Sequence, residues 1–305
     1  MLSVILGVSG ALVYGVSDFF GGMGSRHLGA LRLTWLSVIA GLITIFVTFQ
    51  LADGIWSAIT WQSMMWGGLS GICGSFAIMF LYASLAIGPM SIVSPLGAVI
   101  AAIVPVIWDI INGRLLGPVA YVAIVVALVA VVMVGFVKSE GALKLNPRGI
   151  LFAALAGIGI GGYLICMSQT PANSGFEPFL ANRVVAFTVL TIAMLITWMI
   201  KLARSRGIGH DGEPRADVVV GERGEVNWKY GLIFAVLCGV LDTGANVIIL
   251  EGIRFGSLSV MGVLASLYPA GTIALAAIVL KERIALIQWI GMVLALAAIA
   301  MLSLA

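Results

Sequence analysis

The sequence predicts an all-α membrane protein of ten transmembrane helices, arranged as two inverted five-helix repeats. The prediction rests on the composition, on a series of long apolar runs and on features that recur in the two halves. The 305 residues are 61% hydrophobic and only 10% charged, and the mean hydropathy is +1.16. Soluble domains carry roughly 25% charged residues. A water-soluble core cannot bury so much apolar surface, so lipid is the expected solvent.

The apolar runs are separated by polar or Gly/Pro-rich breaks and number ten. They cover residues 3–24, 30–51, 64–87, 90–111, 117–137, 148–169, 178–200, 229–253, 257–280 and 284–304. Each is long enough to cross a hydrocarbon core of about 30 Å as a helix. Their continuous apolarity, without period-two alternation, favours helices over membrane β-strands. The first run follows no basic segment and extends beyond a signal-peptide core, so it is expected to be a retained helix.

Two features of the first half recur in the second. Very short turns, at 88–89 and 254–256, join helices three and four and helices eight and nine. A single arginine also stands early in the second helix of each half, as Arg32 and Arg183. Because chance identities are common in apolar sequence, the shared turn and the shared arginine carry more weight than matched letters. Together they predict an internal repeat.

The predicted repeats are residues 1–138 and 147–305. Because each has an odd number of spans, the two must cross the membrane in opposite directions, as in many secondary transporters. The one long hydrophilic segment, 201–229, lies within the second repeat and has nearly balanced charge, which is typical of a flexible loop. It leaves an alternative open, in which the protein is a non-transporting membrane scaffold or sensor that recruits a partner through this loop.

The distribution of lysine and arginine predicts an orientation. Of the 16 basic residues, all but Arg114, Arg183 and Arg254 fall on one side when successive loops alternate. The positive-inside rule then puts the loops after helices one, five, seven and nine in the cytoplasm and both termini outside. The expected location is the plasma (cytoplasmic) membrane, as a multi-pass protein.

Several classes of protein are disfavoured by what the residues lack. The net charge of +3 comes without a basic patch, which argues against nucleic-acid binding. Cys73, Cys166 and Cys238 all lie in apolar runs without metal-site spacing. His27 and His210 fall near or in loops, and no catalytic or nucleotide-binding motif is present. The chain is therefore expected to be no enzyme, to need no cofactor or metal, and to rely on a gradient rather than ATP.

Ionisable side chains at membrane depth are the best candidates for a site, because each costs about 2.5 kcal/mol or more unless it faces a wet cavity or a partner. Two clusters qualify, one in helix one and one in helix eight. They contain Tyr14, Ser17 and Asp18, and Asp242, Thr243 and Asn246. Asp18 and Asp242 would attract an ammonium group or take up a proton as coupling ion. Alternatively, each is a structural group bonded to a neighbouring helix, or paired with Arg32 or Arg183.

Segment 279–294, with its Lys-Glu-Arg followed by an apolar helix, resembles the end of an EamA-type repeat in the drug/metabolite transporter superfamily. Arg32, Arg183 and the Tyr14-Gly15 pair resemble that family too. Asn112-Gly113-Arg114 stands in the first half where the second has Lys281-Glu282-Arg283. The resemblance implies a ten-helix bundle that exports or exchanges amino acids, amines or nucleoside-like metabolites by alternating access. It implies a cavity among helices one, three, four, six, eight and nine.

Three tyrosines lie in helices that the resemblance assigns to the cavity, namely Tyr82, Tyr163 and Tyr268, and an aromatic ring with a polar tip suits a metabolite-binding wall. Tyr268-Pro269 is also expected to kink the ninth helix, because proline removes a helical hydrogen bond. Near the helix ends, Glu251 is expected to pair with Arg254. Asp109 is expected to reach water.

Overall fold

The computed structural model describes residues 2–51, 59–87, 90–135, 147–171, 173–207, 228–279 and 285–304. These residues form eleven α-helices. In chain order they are α1 (Leu2–Leu28), α2 (Ala30–Leu51), α3 (Trp61–Ile87), α4 (Met90–Ile111), α5 (Pro118–Gly135), α6 (Pro147–Ser168), α7 (Glu177–Gly207), α8 (Trp228–Phe255), α9 (Leu258–Ala265), α10 (Tyr268–Val279) and α11 (Leu286–Leu304). The protein is all-helical in this part of the chain, as predicted.

The ninth apolar run differs from its prediction, because it forms two helices rather than one kinked helix. α9 ends at Ala265 and α10 begins at Tyr268, with Ser266 and Leu267 in a turn. The Leu267 N–H donates to the Leu264 carbonyl at 3.1 Å. This bond spans three residues, as in a turn, instead of the four of an α-helix. Pro269 follows, and it has no N–H with which to continue the helical hydrogen bonds of α9. A proline in the first turn of α10 instead fits a helix that begins anew.

Six helices are by themselves long and apolar enough to cross a membrane. Within the described residues their apolar windows are Leu2–Ser25, Leu31–Thr48, Trp61–Leu81, Pro147–Ser168, Glu177–Met199 and Trp228–Phe255. Shorter apolar helices cover Leu96–Ile111, Pro118–Met133 and Leu286–Met301. Large apolar side chains such as Ile278, Leu286 and Val293 are more than half exposed. Such outward-facing residues are what a lipid-embedded bundle requires.

Helix pairs from opposite halves of the chain form the most extensive contacts. α1 packs along α8, α3 packs along α6 and α5 packs against α11. Small residues allow this close approach, as at Gly71 in α3, where an added Cβ would lie 2.5 Å from the Asn182 carbonyl oxygen of α7. Gly239 in α8 faces the Ser37 carbonyl oxygen of α2 even more closely. The absence of a side chain at these crossings lets the backbones touch.

The chain directions define two ends of the bundle. Ser3, at the start of α1, lies beside Gly256, whereas Leu28, at its finish, packs on Gly231 near the start of α8. Gly29 has a φ of 77°, a left-handed conformation that suits glycine and lets α2 begin immediately. We refer to the end of the bundle that contains Leu28, Gly29 and Gly231 as the α1–α2 end. The site described below extends towards it.

Candidate functional site

An ion pair between α7 and α8 lies at the centre of the bundle. Nη2 of Arg183 donates to Oδ2 of Asp242. The Arg183 side chain is only 9% exposed, and that of Asp242 is 33% exposed. Gly41 of α2 makes room for the guanidinium, since an added Cβ there would lie 3.2 Å from Arg183 Nε. Pairing with Arg183 was one of the two alternatives for Asp242, and it is the arrangement that the structure has.

Asn246, one turn along α8, connects this ion pair to two tyrosines. Its Nδ2 donates to the Asp242 carbonyl oxygen at 2.6 Å and to Asp242 Oδ2 at 3.1 Å. Its Oδ1 accepts from the Tyr14 hydroxyl at 2.7 Å and also from the Tyr163 hydroxyl. One buried amide therefore has partners for both its donor and its acceptor atoms. It joins α1, α6 and α8 at one level, and α7 through the arginine.

A cavity of about 240 Å³ adjoins this network. Its wall is mostly apolar, with side chains such as Leu33, Ile78 and Leu164, and contains hydroxyls such as those of Thr34 and Ser75. The lining runs from the level of Asn246 towards the α1–α2 end. Among the described residues of the wall, the ionisable acids and bases are Asp18, Arg183 and Asp242.

Asp18 differs from Asp242 in its surroundings. It lies one turn beyond Tyr14 in α1, and its side chain is exposed within the cavity. It has no hydrogen bond or ion pair with any residue in the part of the chain that the structure describes. Asp242, which carries the same charge, lines the same cavity. Asp18 is therefore the carboxylate of the cavity that remains open to a ligand.

The predicted site residues are mostly brought together. Seven of the nine line the cavity, namely Tyr14, Ser17, Asp18, Tyr163, Asp242, Asn246 and Tyr268. The Ser17 hydroxyl is already engaged, because it donates to the Cys238 carbonyl oxygen at 2.9 Å. Thr243 points elsewhere: it is 2% exposed, and its hydroxyl donates to the Gly239 carbonyl oxygen at 2.8 Å. The side chain of Tyr82 lies outside the described residues.

Sequence reasoning missed some residues of the wall. Arg183 was treated as a repeat marker and as a structural partner for an aspartate, although an ionisable side chain inside a span is itself a signal of a site. Asn182, Ser75 and Ser266 also line the cavity. Asn182 Nδ2 donates to Ser70 Oγ at 2.8 Å, which joins α7 to α3. Small polar residues in apolar helices are common, so they gave no distinct signal.

The opposite end of the bundle is held by a second set of polar contacts, which we call the Asp109 end and define by Asp109, Ser174, Arg254 and Ser259. Asp109, at the finish of α4, is 1% exposed, so the expectation that it reaches water is wrong. Its Oδ2 accepts from the backbone N–H of Ser259 at 2.9 Å and from the Ser259 hydroxyl at 2.6 Å. The carboxylate can be buried because its Oδ2 is bound by the Ser259 hydroxyl and by the Ser259 N–H, one of the N–H groups that lack a helical partner at the start of α9.

Arg254 adds a second connection at the Asp109 end. It pairs with Glu251 at 2.5 Å, as predicted. It also donates from Nη2 to the Ser174 carbonyl oxygen at 2.7 Å, across to the loop between α6 and α7. The arginine therefore joins the finish of α8 to that loop, in addition to neutralising its helical neighbour.

Comparison with known proteins identifies the family. The model of the EamA-like transporter family matches residues 147–304, more than half of the chain. One solved structure, described as "Crystal structure of protein", is similar with a TM-score of 0.68 and 15% sequence identity, over 99% of this chain and 96% of that one. At this sequence identity, the similarity supports a shared fold and says nothing about function. No curated protein matches significantly. The chain belongs to the EamA-like transporter family of the drug/metabolite transporter superfamily and is a multi-pass membrane protein.

Proposed function

We propose that the protein is a secondary transporter that moves a small metabolite across the membrane by alternating access through the central cavity. The observation that carries the proposal is a cavity within the helix bundle that adjoins a broken helix and whose described wall contains the charged side chains of Asp18, Arg183 and Asp242. Discontinuous helices around a polar site at membrane depth are typical of secondary transporters. Amino acids, amines and nucleoside-like compounds are the metabolite classes to test.

The proposal includes ten spans in two inverted repeats, 1–138 and 147–305. The helix contacts support this layout, because exchanging the halves turns the α1–α8 pair into the α6–α3 pair and the α2–α8 pair into the α7–α3 pair. Tyr14 in α1 and Tyr163 in α6 donate to the same oxygen of Asn246. An inverted repeat supplies two related gates around one site.

Alternating access requires that the two ends of the bundle open in turn. The Asp109 end is held together by the Asp109–Ser259 and Arg254–Ser174 bonds. The cavity extends towards the opposite, α1–α2 end. We therefore assign this conformation to the state in which the Asp109 end is closed, and propose that transport breaks its bonds while the α1–α2 end closes.

The positive-inside rule orients this state. Arg114 and Arg254 lie at the Asp109 end, whereas Arg32, Arg148 and Lys229 lie in the first turns of α2, α6 and α8 at the opposite end. This is the side to which alternating loops assign most lysines and arginines of the sequence. The cavity then faces the cytoplasm, both termini lie outside, and export or exchange across the plasma membrane is the proposed direction. Of the two aspartates considered as proton-coupling groups, Asp242 is paired with Arg183, so Asp18 is the proposed coupling group. Protonation of Asp18 and binding of a cation to it would exclude each other.

Flux in liposomes containing the purified protein tests the proposal. Labelled amino acids, amines, nucleosides and organic acids would be screened for uptake and counterflow, with and without a pH gradient. Saturable uptake that is accelerated by unlabelled compound on the opposite side is the expected result. If no compound of the panel shows saturable uptake or counterflow, the proposal that the protein is a transporter is contradicted.

The scaffold alternative makes the opposite prediction about the hydrophilic loop 201–229, of which residues 208–227 lie outside the described residues. A scaffold loses its function when the loop is deleted and keeps it in Asp242→Asn. A transporter keeps flux after deletion of residues 208–227, whereas its flux falls strongly but measurably in Asp242→Asn. Measuring both variants in the same liposome assay separates the two functions.

A further inference from the structure

We infer that the substrate of the central cavity carries one positive charge on a largely apolar body, and that Asp18 binds this charge. The inference rests on the proposed transport function and narrows its substrate class. It also divides the two cavity carboxylates by role. Asp242 holds Arg183 and Asn246 in place, whereas Asp18 contacts the substrate.

The charges of the cavity wall lead to this assignment. Its described ionisable acids and bases are two aspartates and one arginine, which sum to a formal charge of −1 when all are ionised. Arg183 and Asp242 are hydrogen-bonded to each other and neutralise one another. The remaining charge is that of Asp18. A cavity with one uncompensated carboxylate favours a single cation over a neutral compound or an anion.

The surroundings of Asp18 strengthen the assignment. A carboxylate at membrane depth is costly unless a partner or water compensates it, and Asp18 has no hydrogen bond or ion pair with the described residues. Its exposure within the cavity leaves its oxygens accessible to a ligand. By contrast, the charge of Arg183 is neutralised by Asp242, and its Nε, which has no hydrogen-bond partner, is buried. An anionic group would therefore meet no accessible, uncompensated positive charge in the described wall.

The remainder of the wall suits the apolar part of the proposed substrate. Tyr14, one turn before Asp18 in α1, and Tyr268 line the same cavity as Asp18. Aromatic rings near a carboxylate stabilise a bound cation through their electron-rich faces. Leu33, Leu81 and Leu164 provide apolar surface. The volume of about 240 Å³ lies below the roughly 300–1,000 Å³ of drug-sized sites and indicates a small compound.

A charge series on one molecular skeleton tests the inference. Four compounds would compete, at pH 7, with whichever labelled compound the wild-type protein transports in liposomes. They are phenylalaninamide as cation, phenylalanine as zwitterion, N-acetylphenylalanine as anion and N-acetylphenylalaninamide as neutral compound. Phenylalaninamide is expected to compete best. In Asp18→Asn its advantage is expected to fall about ten- to a hundredfold, the value of a hydrogen bond to a charged group.

Three further variants separate contact by Asp18 from general effects of charge or folding. Asp18→Glu keeps the carboxylate and should retain the preference for the cation. Asp242→Asn leaves Arg183 unpaired and should weaken it. The double variant Arg183→Gln/Asp242→Asn restores the formal charge of −1 and should recover it. Size-exclusion profiles and thermal unfolding of each variant in detergent check that the protein remains folded.

The competition results separate failure of the inference about the substrate from failure of the proposed transport function. Equal or better competition by the anion or the neutral compound overturns the inference, as does a cation preference that survives in Asp18→Asn. Competition by none of the four against a transported compound also overturns it, while transport itself stands. If the wild-type protein transports no compound of any charge class, the proposed function fails and the inference fails with it.

Discussion

At the scale of single residues, the site depends on one amide. Asn246 is 7% exposed, and each of its polar atoms has a partner on α1, α6 or α8. Buried polar groups are stable only when they are hydrogen-bonded. The sequence pointed to Asn246 because it follows Asp242 by one turn, but it could not indicate the two tyrosines, which are 232 and 83 positions away.

Replacing Asn246 with leucine is predicted to destabilise the protein more than removing either tyrosine hydroxyl. The leucine leaves the Tyr14 and Tyr163 hydroxyls without their acceptor, and an unsatisfied buried group costs about 1–3 kcal/mol. Tyr14→Phe and Tyr163→Phe each remove one donor and should cost about 1 kcal/mol. Thermal unfolding in detergent measures all three. Equal stability of Asn246→Leu and wild type would contradict the arrangement.

The Arg183–Asp242 pair predicts a compensating double variant. Asp242→Asn leaves the buried guanidinium without its counter-charge and is expected to cost up to about 3 kcal/mol, the lower limit for breaking a buried pair, because Asp242 is one-third exposed. Arg183→Gln/Asp242→Asn removes both charges and should recover most of this stability. Unfolding curves of the two variants test the coupling. A double variant less stable than the single one would argue against it.

At the scale of helices, close crossings depend on glycine. Gly239 of α8 faces the Ser37 carbonyl of α2, while Gly244 of the same helix has no atom within 4 Å of an added Cβ. Both glycines lie in one apolar run, and their composition does not distinguish them. Only the rotation of α8 against α2 determines which one is at the contact.

Gly239→Ala is therefore predicted to destabilise the protein by about 1–3 kcal/mol, the usual cost of overpacking. Gly244→Ala is the matched control, since the same methyl group in the same helix meets open space. It should be neutral or stabilising by up to about 1 kcal/mol, the difference in helix propensity. Melting temperatures of the two variants give the comparison. Equal losses would indicate that α8 is rotated differently.

At the scale of the whole molecule, the two ends of the bundle are held unequally. Asp109 is buried against the start of α9, and Arg254 reaches the loop between α6 and α7. The cavity lies towards the other end. In the proposed alternating-access cycle, this asymmetry would mark one of the two states.

Asp109→Ala is predicted to shift the protein towards opening at the Asp109 end, because the Ser259 N–H and hydroxyl lose their acceptor. Cys238, in the cavity wall, provides a reporter in a Cys73→Ala/Cys166→Ala background. A charged thiol reagent applied from the side of the Asp109 end should label Cys238 faster in Asp109→Ala.

Arg114→Gln is the control for this experiment. Its Nη1 is 3.8 Å from Oδ1 of Asp109 and its side chain is 67% exposed. A long contact made by a solvated arginine contributes little, although Asp109 itself is buried. Its labelling rate should match that of the parent. Unchanged labelling in Asp109→Ala would show that the Asp109 end does not open at this contact.

The sequence by itself determined the helical class, the membrane environment and the family resemblance, because each depends on hydropathy and motifs read along the chain. It also selected Asp18, Asp242 and Asn246, since polar groups in apolar helices stand out locally. Only the tertiary structure decided that Asp242 is paired while Asp18 is open, that Thr243 faces away from the cavity and that Asp109 is buried. These outcomes depend on how each helix is rotated against partners far away in sequence, which local periodicity does not specify.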